Sequence, residues 1–315
     1  MSSNLFTARH TPAASRSDVT VLVTGSTGML GRVLCGLLQK NHTVLGLSRH
    51  GADGTFRCDL SDESALRRVF EGSRIDFVVN TAAYSEVDGC ERDAKMAYEA
   101  NALACKNLSV LCGARKIPWV HVSTDYVFDG RGRAPYKEDD PTGPVNIYGL
   151  TKWIGEYYAA SSEAPCAIVR TSWLFGGPNP KNFVNWVITQ LAKEDVVSVL
   201  DDQMDAPTSV KDLSLAILKV IEHMKSLSAG TRWNETFHVC NNGSATRLQM
   251  TEVIRDAMGR KGTRVARTDP AKIPNRVAIR PAYVVMSPKK FEKNFGVTLR
   301  PWQESLKEYI HECVF

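Results

Sequence analysis

This 315-residue sequence predicts an α/β fold: a parallel sheet wound on both faces by helices, with a smaller lobe built from the C-terminal part of the chain. Three observations carry that prediction. A β-branched apolar run, Val19 to Val23, leads straight into a glycine-rich loop and a helical pattern. Short apolar runs of strand length then keep alternating with helical periodicities as far as Val122. From Trp173 onward the alternation becomes irregular, which fits a chain that has left the sheet.

The first run, Val19-Thr20-Val21-Leu22-Val23, ends in Thr24-Gly25-Ser26-Thr27-Gly28-Met29-Leu30-Gly31, before Val33, Leu34, Leu37 and Leu38 at helical spacing. Strand, glycine loop, helix is the order a phosphate site requires. Gly25, Gly28 and Gly31 permit a tight turn, close approach of main-chain N–H groups to a diphosphate and close helix packing, and the helix N-terminus favours the anion. With Thr27, Met29 and Leu30 they form the candidate dinucleotide loop of a Rossmann-type sheet. A purely structural glycine turn is the alternative.

A second strand, Thr43-Val44-Leu45-Gly46-Leu47, ends at Ser48-Arg49-His50 rather than at an acid. An acidic residue there grips a ribose 2′-hydroxyl, whereas Arg49 can meet a 2′-phosphate, which leans the cofactor to NADP(H) over NAD(H). Phe56 to Leu60 reads as a short third strand, with Asp59 placed to accept a hydrogen bond from adenine. Ile75 to Asn80 is the fourth strand, and its end, Thr81-Ala82-Ala83-Tyr84, has small residues that let main chain approach a cofactor. Helical periodicity covers Ala94 to Leu111, Asn101 included, and Trp119 to Val122 is the fifth strand. Ligands of such sheets bind outside the carboxyl ends of the strands, where all these motifs fall.

After the fifth strand comes Ser123-Thr124-Asp125-Tyr126-Val127-Phe128-Asp129-Gly130, and Tyr148 and Lys152 follow at a four-residue spacing that stacks them on one helical face. Free tyrosine, with a pKa of about 10, is a poor acid at neutral pH. A lysine ammonium one turn away favours the phenolate and lowers that pKa toward the range of acid–base catalysis. Thr124 can hydrogen-bond the same carbonyl oxygen. Chance supplies such Tyr and Lys pairs on many helices; the glycine loop and the hydroxyl at the strand end weigh for chemistry here.

Asn182 to Lys193 reads as a helix, Val196 to Leu200 as a strand, and Val210 to Met224 as an amphipathic helix returned to the nucleotide-binding part. Phe237-His238-Val239 as a strand, with helices over Arg247 to Met258 and Pro301 to Cys313, completes the lobe. The chain thus divides into a disordered leader (1–17), an NAD(P)-binding Rossmann domain (18–172, rejoined by 210–225) and a substrate-binding lobe (173–315).

Composition excludes several classes. The net charge is +5, yet Arg255 to Arg300 holds twelve Lys or Arg against three Asp or Glu. Such a patch can meet phosphates, but no interleaving of aromatic and basic residues accompanies it, so a solvated face is expected rather than a nucleic-acid surface. No run approaches the roughly 18 apolar residues of a membrane span. The eight cysteines form no CxxC pair and several fall in apolar runs, the pattern of reduced structural thiols in a cytoplasmic setting. The leader contains Arg9 and Arg16 and no acid, a weak likeness to an organelle transit peptide.

The segments Ser123 to Gly130, Pro144-Val145-Asn146-Ile147-Tyr148-Gly149-Leu150-Thr151-Lys152, Arg170-Thr171-Ser172-Trp173-Leu174-Phe175 and Asp202-Gln203-Met204-Asp205-Ala206-Pro207-Thr208 carry a resemblance. The chain, over nearly everything after residue 18, resembles the extended short-chain dehydrogenase/reductases, and among them the dTDP-4-dehydrorhamnose reductase family. The resemblance implies an NADPH-dependent enzyme, with NADH the second choice, acting on a nucleotide-sugar substrate, dTDP- or UDP-4-dehydro-L-rhamnose. Thr124, Tyr148 and Lys152 would be the catalytic triad: Tyr148 protonates the sugar C4 oxygen as hydride arrives from the nicotinamide, and Lys152 also holds the nicotinamide ribose. Gly28, Met29 and Leu30 match the diphosphate loop, Asp59 and Leu60 the adenine loop, and Ala82, Ala83 and Tyr84 the strand end below the dinucleotide. Asp125, Tyr126 and Trp173 match positions at the sugar nucleotide, while Asn182, Gln203, Pro207 and Thr208 match segments of the same cleft. Arg280, of Arg280-Pro281, is the candidate for the substrate diphosphate.

No metal is expected in the site, no membrane or nucleic-acid partner, and a homodimer is left open. The rival is the regulatory β subunit of methionine adenosyltransferase, which shares the Asp125 to Gly130 and Tyr148/Lys152 segments and would bind NADP and the catalytic subunit without turnover. Thr124, where that subunit resembles a Ser-Ser-Asp version, and Trp173 favour the reductase. Leu150, where the family commonly has Lys, and Val284-Val285-Met286 depart from the pattern.

Overall fold

The computed structural model describes residues 19–52, 54–178, 182–228 and 230–314, so the expected leader lies outside the described residues. In chain order the first half runs β1 (Thr20–Thr24), α1 (Met29–Leu38), β2 (Thr43–Ser48), β3 (Thr55–Arg57), α2 (Glu63–Gly72), β4 (Phe77–Asn80), α3 (Val87–Arg92), α4 (Ala94–Tyr98), α5 (Ala104–Arg115), β5 (Trp119–Thr124), α6 (Ile147–Ala160) and β6 (Cys166–Thr171). The second half continues β7 (Leu174–Phe175), α7 (Phe183–Lys193), β8 (Val196–Val199), β9 (Thr208–Ser209), α8 (Val210–Lys225), β10 (Asn234–His238), α9 (Arg247–Ala257), β11 (Arg264–Arg267), α10 (Lys289–Phe295) and α11 (Trp302–Val314).

Seven strands form one parallel sheet in the order β10-β6-β5-β4-β1-β2-β3. One face packs Leu30, Leu34 and Leu38 of α1 with Leu213, Ile217 and Val220 of α8 against Val21, Val79 and Val169. The other packs Leu66 and Phe70 of α2, Leu108 and Cys112 of α5 and Ala159 of α6 against Leu22, Val78 and Ile168. Burial on both faces is why the strands read as continuous apolar runs rather than alternating ones. The order reverses between β1 and β4, and a ligand crevice is expected at that switch, beyond the carboxyl ends.

Three expectations change. Sequence periodicity ends the sheet at the fifth strand, but β6 pairs with β5 from Trp119↔Cys166 to Thr124↔Thr171. Phe237 and His238 belong to β10, which pairs in parallel with β6 in the central sheet and is not part of the lobe. The helix expected from Ala94 to Leu111 is interrupted by a π-helical turn, Glu99–Leu103, between α4 and α5. Such turns often sit beside functional sites.

A separate core joins α7, α9 and α11 with β8 through Val187, Leu191, Val197, Met250, Ile254 and Leu306. The atypical Val284-Val285-Met286 stretch is buried, and Val284 and Met286 pack with Phe128, Tyr136 and Ala206. Five of the twelve basic residues of the segment meet acids elsewhere: Arg267 meets Asp201, Arg276 Asp202, Arg280 Asp88, Lys290 Glu235, and Arg300 Asp212. Among the described residues no helix is long and apolar enough to cross a membrane. All eight cysteines are free thiols.

Candidate active site

The glycine loop closes directly onto the end of β4. A Cβ at Gly25, whose φ is +67°, would lie 2.7 Å from the Ala82 nitrogen, and one at Gly31 would lie 2.2 Å from the Gly25 carbonyl oxygen. Only glycine fits such approaches. Gly28 is the N-cap of α1 and no side chain caps that helix, so its first-turn N–H groups are left for another acceptor. A cavity of about 280 Å³ opens here, lined by Gly25, Thr27, Gly28, Arg49, Asp59, Leu60, Ala82, Ala83 and Tyr84. Arg49 and Asp59 meet across it at 3.3 Å, both about two-fifths exposed. These residues fit a dinucleotide: close main chain and an uncapped helix for the diphosphate, and a part-exposed guanidinium where a 2′-phosphate would lie.

A second cavity of about 460 Å³ shares Gly28, Thr81 and Ala83 with the first and extends over the ends of β5 and β6. Thr124, Asp125, Tyr126, Tyr148, Lys152 and Trp173 line it, as do Met29, Leu30 and Gly31. Thr124 closes β5, and Asn146 caps α6 by accepting the Gly149 N–H at 2.8 Å, which starts the helix so that Tyr148 and Lys152 face the strand ends. The Thr124 side chain stands against the Tyr148 phenol and donates its hydroxyl proton to Asp125 Oδ1 at 2.8 Å. The Tyr126 ring packs edge-on to Tyr148 at 5.7 Å.

Ionisation in the site departs from the sequence argument. Lys152 is 2 % exposed and its ammonium donates to the Val122 carbonyl at 2.7 Å; burial lowers its pKa to about 8. Tyr148 is pushed up, first by burial and then by the Asp125 charge, with only the Thr124 hydrogen bond pulling it down. The expected lowering by Lys152 is absent because that ammonium is committed to main chain. A phenol held protonated is the state a proton donor needs.

Trp173 has φ of +35°, a strained conformation for a bulky residue, and its indole N–H has no partner. The Arg247 guanidinium lies over its ring at 5.0 Å and over Phe183 at 4.8 Å. Arg247 also lines the second cavity, and its Nε has no hydrogen-bond partner. Sequence reading missed it. Thr246 and Gln249 form a capping box that marks the start of α9, but which lobe helix turns its first residue toward the sheet is not a local property.

Other expected residues stand back from the cavities. Asn101 is buried at the π turn, where it accepts from the Tyr84 N–H at 2.8 Å and donates to the Tyr84 carbonyl and Thr151 hydroxyl, so it braces the cofactor wall rather than forming it. Gln203 donates to the Tyr126 hydroxyl at 2.9 Å. Asn182 caps α7 by accepting the Asn185 N–H. Pro207 and Thr208 are buried, and Thr208 pairs with Leu174 in the short β7–β9 ladder. Arg280 does not line the cleft: it forms a two-point pair with Asp88 of α3, at 3.2 and 2.6 Å. Leu150 is exposed on α6.

The profile described as RmlD substrate binding domain matches residues 19–315. The chain is 35% identical over 296 residues to a dTDP-4-dehydrorhamnose reductase of Mycolicibacterium smegmatis, covering 93% of this chain and 86% of that one. It superposes with a TM-score of 0.85 on the crystal structure of a dTDP-4-dehydrorhamnose reductase from Clostridium acetobutylicum, 33% identical over 94% of this chain and 100% of that one. A Bacillus anthracis dTDP-4-dehydrorhamnose reductase in complex with NADP matches with a TM-score of 0.83 and 28% identity, covering 94% of this chain and 99% of that one. A glycine loop, a Thr/Tyr/Lys constellation on one cleft wall and these likenesses along nearly the whole chain place the protein in the dTDP-4-dehydrorhamnose reductase family.

Proposed function

We propose that this protein reduces dTDP- or UDP-4-dehydro-L-rhamnose to the nucleotide-linked L-rhamnose with NADPH, NADH serving less well. The observation that carries the reading is that Thr124, Tyr148 and Lys152 share one cavity wall with the glycine loop and face the stacked Trp173 and Arg247. A bound nicotinamide cofactor supplies the hydride. Tyr148 gives its phenolic proton to the C4 oxygen, and Thr124 hydrogen-bonds the same oxygen and keeps the phenol aimed. Lys152, whose ammonium donates to the Val122 carbonyl, would hold the nicotinamide ribose. Trp173 offers the sugar an apolar face, and Arg247, rather than Arg280, meets the substrate diphosphate. Arg49 and the NADP held by the B. anthracis relative support the phosphorylated cofactor.

The test is cofactor oxidation with 4-dehydrorhamnose nucleotides. Tyr148→Phe is expected to lower kcat by about 10²-fold or more while NADPH binding persists, and an unchanged kcat would sink the mechanism. The regulatory-subunit reading requires no turnover together with binding to a methionine adenosyltransferase catalytic subunit; Thr124 and Trp173 on the cleft wall, rather than the shared Tyr148 and Lys152, argue against it. Light scattering on the same preparation reads whether a second copy covers the exposed Leu150, Trp153 and Tyr157 of α6 as a homodimer. The free thiols fit a reducing compartment such as the cytoplasm.

A further inference from the structure

Residues 275–284 form a strap that reaches from the lobe to α3. Apolar burial does not hold it there, because Val277 and Ile279 are 55% and 67% exposed. Polar ties fix it instead. Oδ1 of Asp88, on α3, accepts the Val277 and Ala278 N–H groups at 2.8 and 3.0 Å, and the Arg280 guanidinium meets both oxygens of that carboxylate at 3.2 and 2.6 Å. Arg280 also donates to the Ala278 carbonyl at 2.9 Å, and Arg92 of α3 donates to the Asn275 carbonyl. Beyond the pair, the strap lies so close to the turn after β5 that a Cβ at Gly130 would be 2.5 Å from Pro281 Cβ.

The two carbonyls that flank Arg280 reach Tyr148 by separate routes. The Ile279 carbonyl accepts Nδ2 of Asn146 at 2.8 Å, while Oδ1 of the same amide accepts the Gly149 N–H at 2.8 Å and so caps the helix turn in which Tyr148 stands. One partner is a main-chain acceptor and the other a main-chain donor, which fixes the amide in this orientation. The Pro281 carbonyl accepts Nε2 of Gln203 at 3.3 Å; that nitrogen also donates to the Tyr126 hydroxyl at 2.9 Å, and the Tyr126 ring packs edge-on to Tyr148. Asn146 and Gln203 are 5% and 4% exposed, so water competes little for these bonds. Glu91 of α3 holds the same turn directly, accepting the Ile147 N–H at 3.0 Å.

We propose that Arg280 and Asp88 are positioning residues for Tyr148: their pair fixes the strap, and the strap's Ile279 and Pro281 carbonyls, acting through Asn146 and Gln203, set the first turn of α6 and the Tyr126 ring around the phenol. The proposal rests on the reductase reading. Proton delivery needs the phenol within hydrogen-bond reach of the C4 oxygen, and a misplacement of about 1 Å costs up to about 10²-fold in rate. Pro281 suits the role, since its ring fixes φ where the chain must present a carbonyl to Gln203. The strap belongs to the same lobe as Arg247, so the part of the chain that grips the substrate also aims the acid.

The experiment pairs kinetics with hydrogen exchange on the full chain. Asp88→Asn keeps an acceptor for the two main-chain N–H groups but releases Arg280. Asn146→Asp keeps the helix cap but has no proton to donate to the Ile279 carbonyl. Each should lose about 10-fold in kcat while KM for the nucleotide sugar and the Kd for dTDP stay within about 3-fold. Because both act through one strap, the double variant should lose little more than either single one, where independent effects would multiply to about 100-fold. Without substrate, amides of residues 147–152 should exchange faster in Asp88→Asn than in the wild type, and those of α1 at the wild-type rate. Wild-type kcat in Asp88→Asn, a loss seen in dTDP affinity instead of kcat, multiplicative losses, or unchanged exchange at 147–152 overturns the proposal. If the wild type reduces no nucleotide sugar, the reductase reading falls, while exchange still decides whether the strap mounts the helix.

Discussion

Arg170→Met should be among the most destabilising single substitutions outside the cleft. Arg170 on β6 meets Glu156 on α6 in a two-point pair, Nε to Oε1 at 2.9 Å and Nη2 to Oε2 at 2.8 Å, with the side chains 7% and 6% exposed. Its guanidinium also lies over the Phe128 ring at 5.2 Å. Methionine fills much of the volume but strands the Glu156 carboxylate, and breaking a buried pair in this way costs about 3–5 kcal/mol. At about 2 °C per kcal/mol for a chain of this size, Tm should fall by about 6–10 °C. Replacing both partners, Arg170→Met with Glu156→Leu, removes the desolvation cost together with the attraction, so the double variant should recover most of the loss. A double-mutant cycle by urea unfolding should give a coupling energy of about 2 kcal/mol or more. A loss below about 1 kcal/mol for Arg170→Met, or additive single variants, would refute the account of this pair as a buried clamp between β6 and the helix that carries Tyr148.

Arg247→Ala should raise KM for the nucleotide sugar by about 10–100-fold with a smaller change in kcat, and Arg247→Lys should not restore it, because lysine lacks the planar stack on Trp173 and Phe183; steady-state kinetics reads both. Gly31→Ala places a Cβ 2.2 Å from the Gly25 carbonyl and should weaken NADPH binding by about 10-fold or more in a fluorescence titration. Gly36→Ala, on the same helix with nothing within 4 Å of the new Cβ, should leave binding unchanged and add about 1 kcal/mol of stability. Asp88 is lowered to about 2 because Arg280 and the Val277 and Ala278 N–H groups outweigh the opposing effect of its burial. A folded-state pKa below the unfolded value stabilises above about pH 4, and that contribution is lost as pH falls toward 2. Asp88→Asn should therefore cost about 2 kcal/mol at pH 7 and under about 0.5 kcal/mol at pH 2 in denaturant unfolding.

The parts of the site legible in the sequence are those written in local patterns. A strand, three glycines and a helix start identify the dinucleotide loop, and four-residue spacing puts Tyr148 and Lys152 on one face. Spacing does not say which acceptor takes the lysine ammonium, and the Val122 carbonyl wins over the phenol. Arg280 stood out by its neighbour Pro281, but its partner Asp88 lies 192 residues earlier. Arg247 carries no motif of its own, and only the packing of the lobe against the sheet brings it over Trp173; Asp205 stands within the Asp202 to Thr208 segment, but its burial near Asp125 is not a local property. β10 was legible as a strand but not as a member of the sheet, because nothing local distinguishes a seventh parallel strand from a strand of the lobe.

That seventh strand bears on how the chain is made. When β6 leaves the ribosome, its outer edge has no neighbour, and it stays bare while β7, α7, β8, β9 and α8 are synthesised, until β10 arrives to pair with it. During that interval the nascent protein presents a fully buried-type apolar strand with open N–H and C=O groups, the kind of edge that invites foreign pairing. Chaperone attachment is expected to peak in that window, and a ribosome stalled within it should release chains that aggregate rather than a free-standing nucleotide-binding unit.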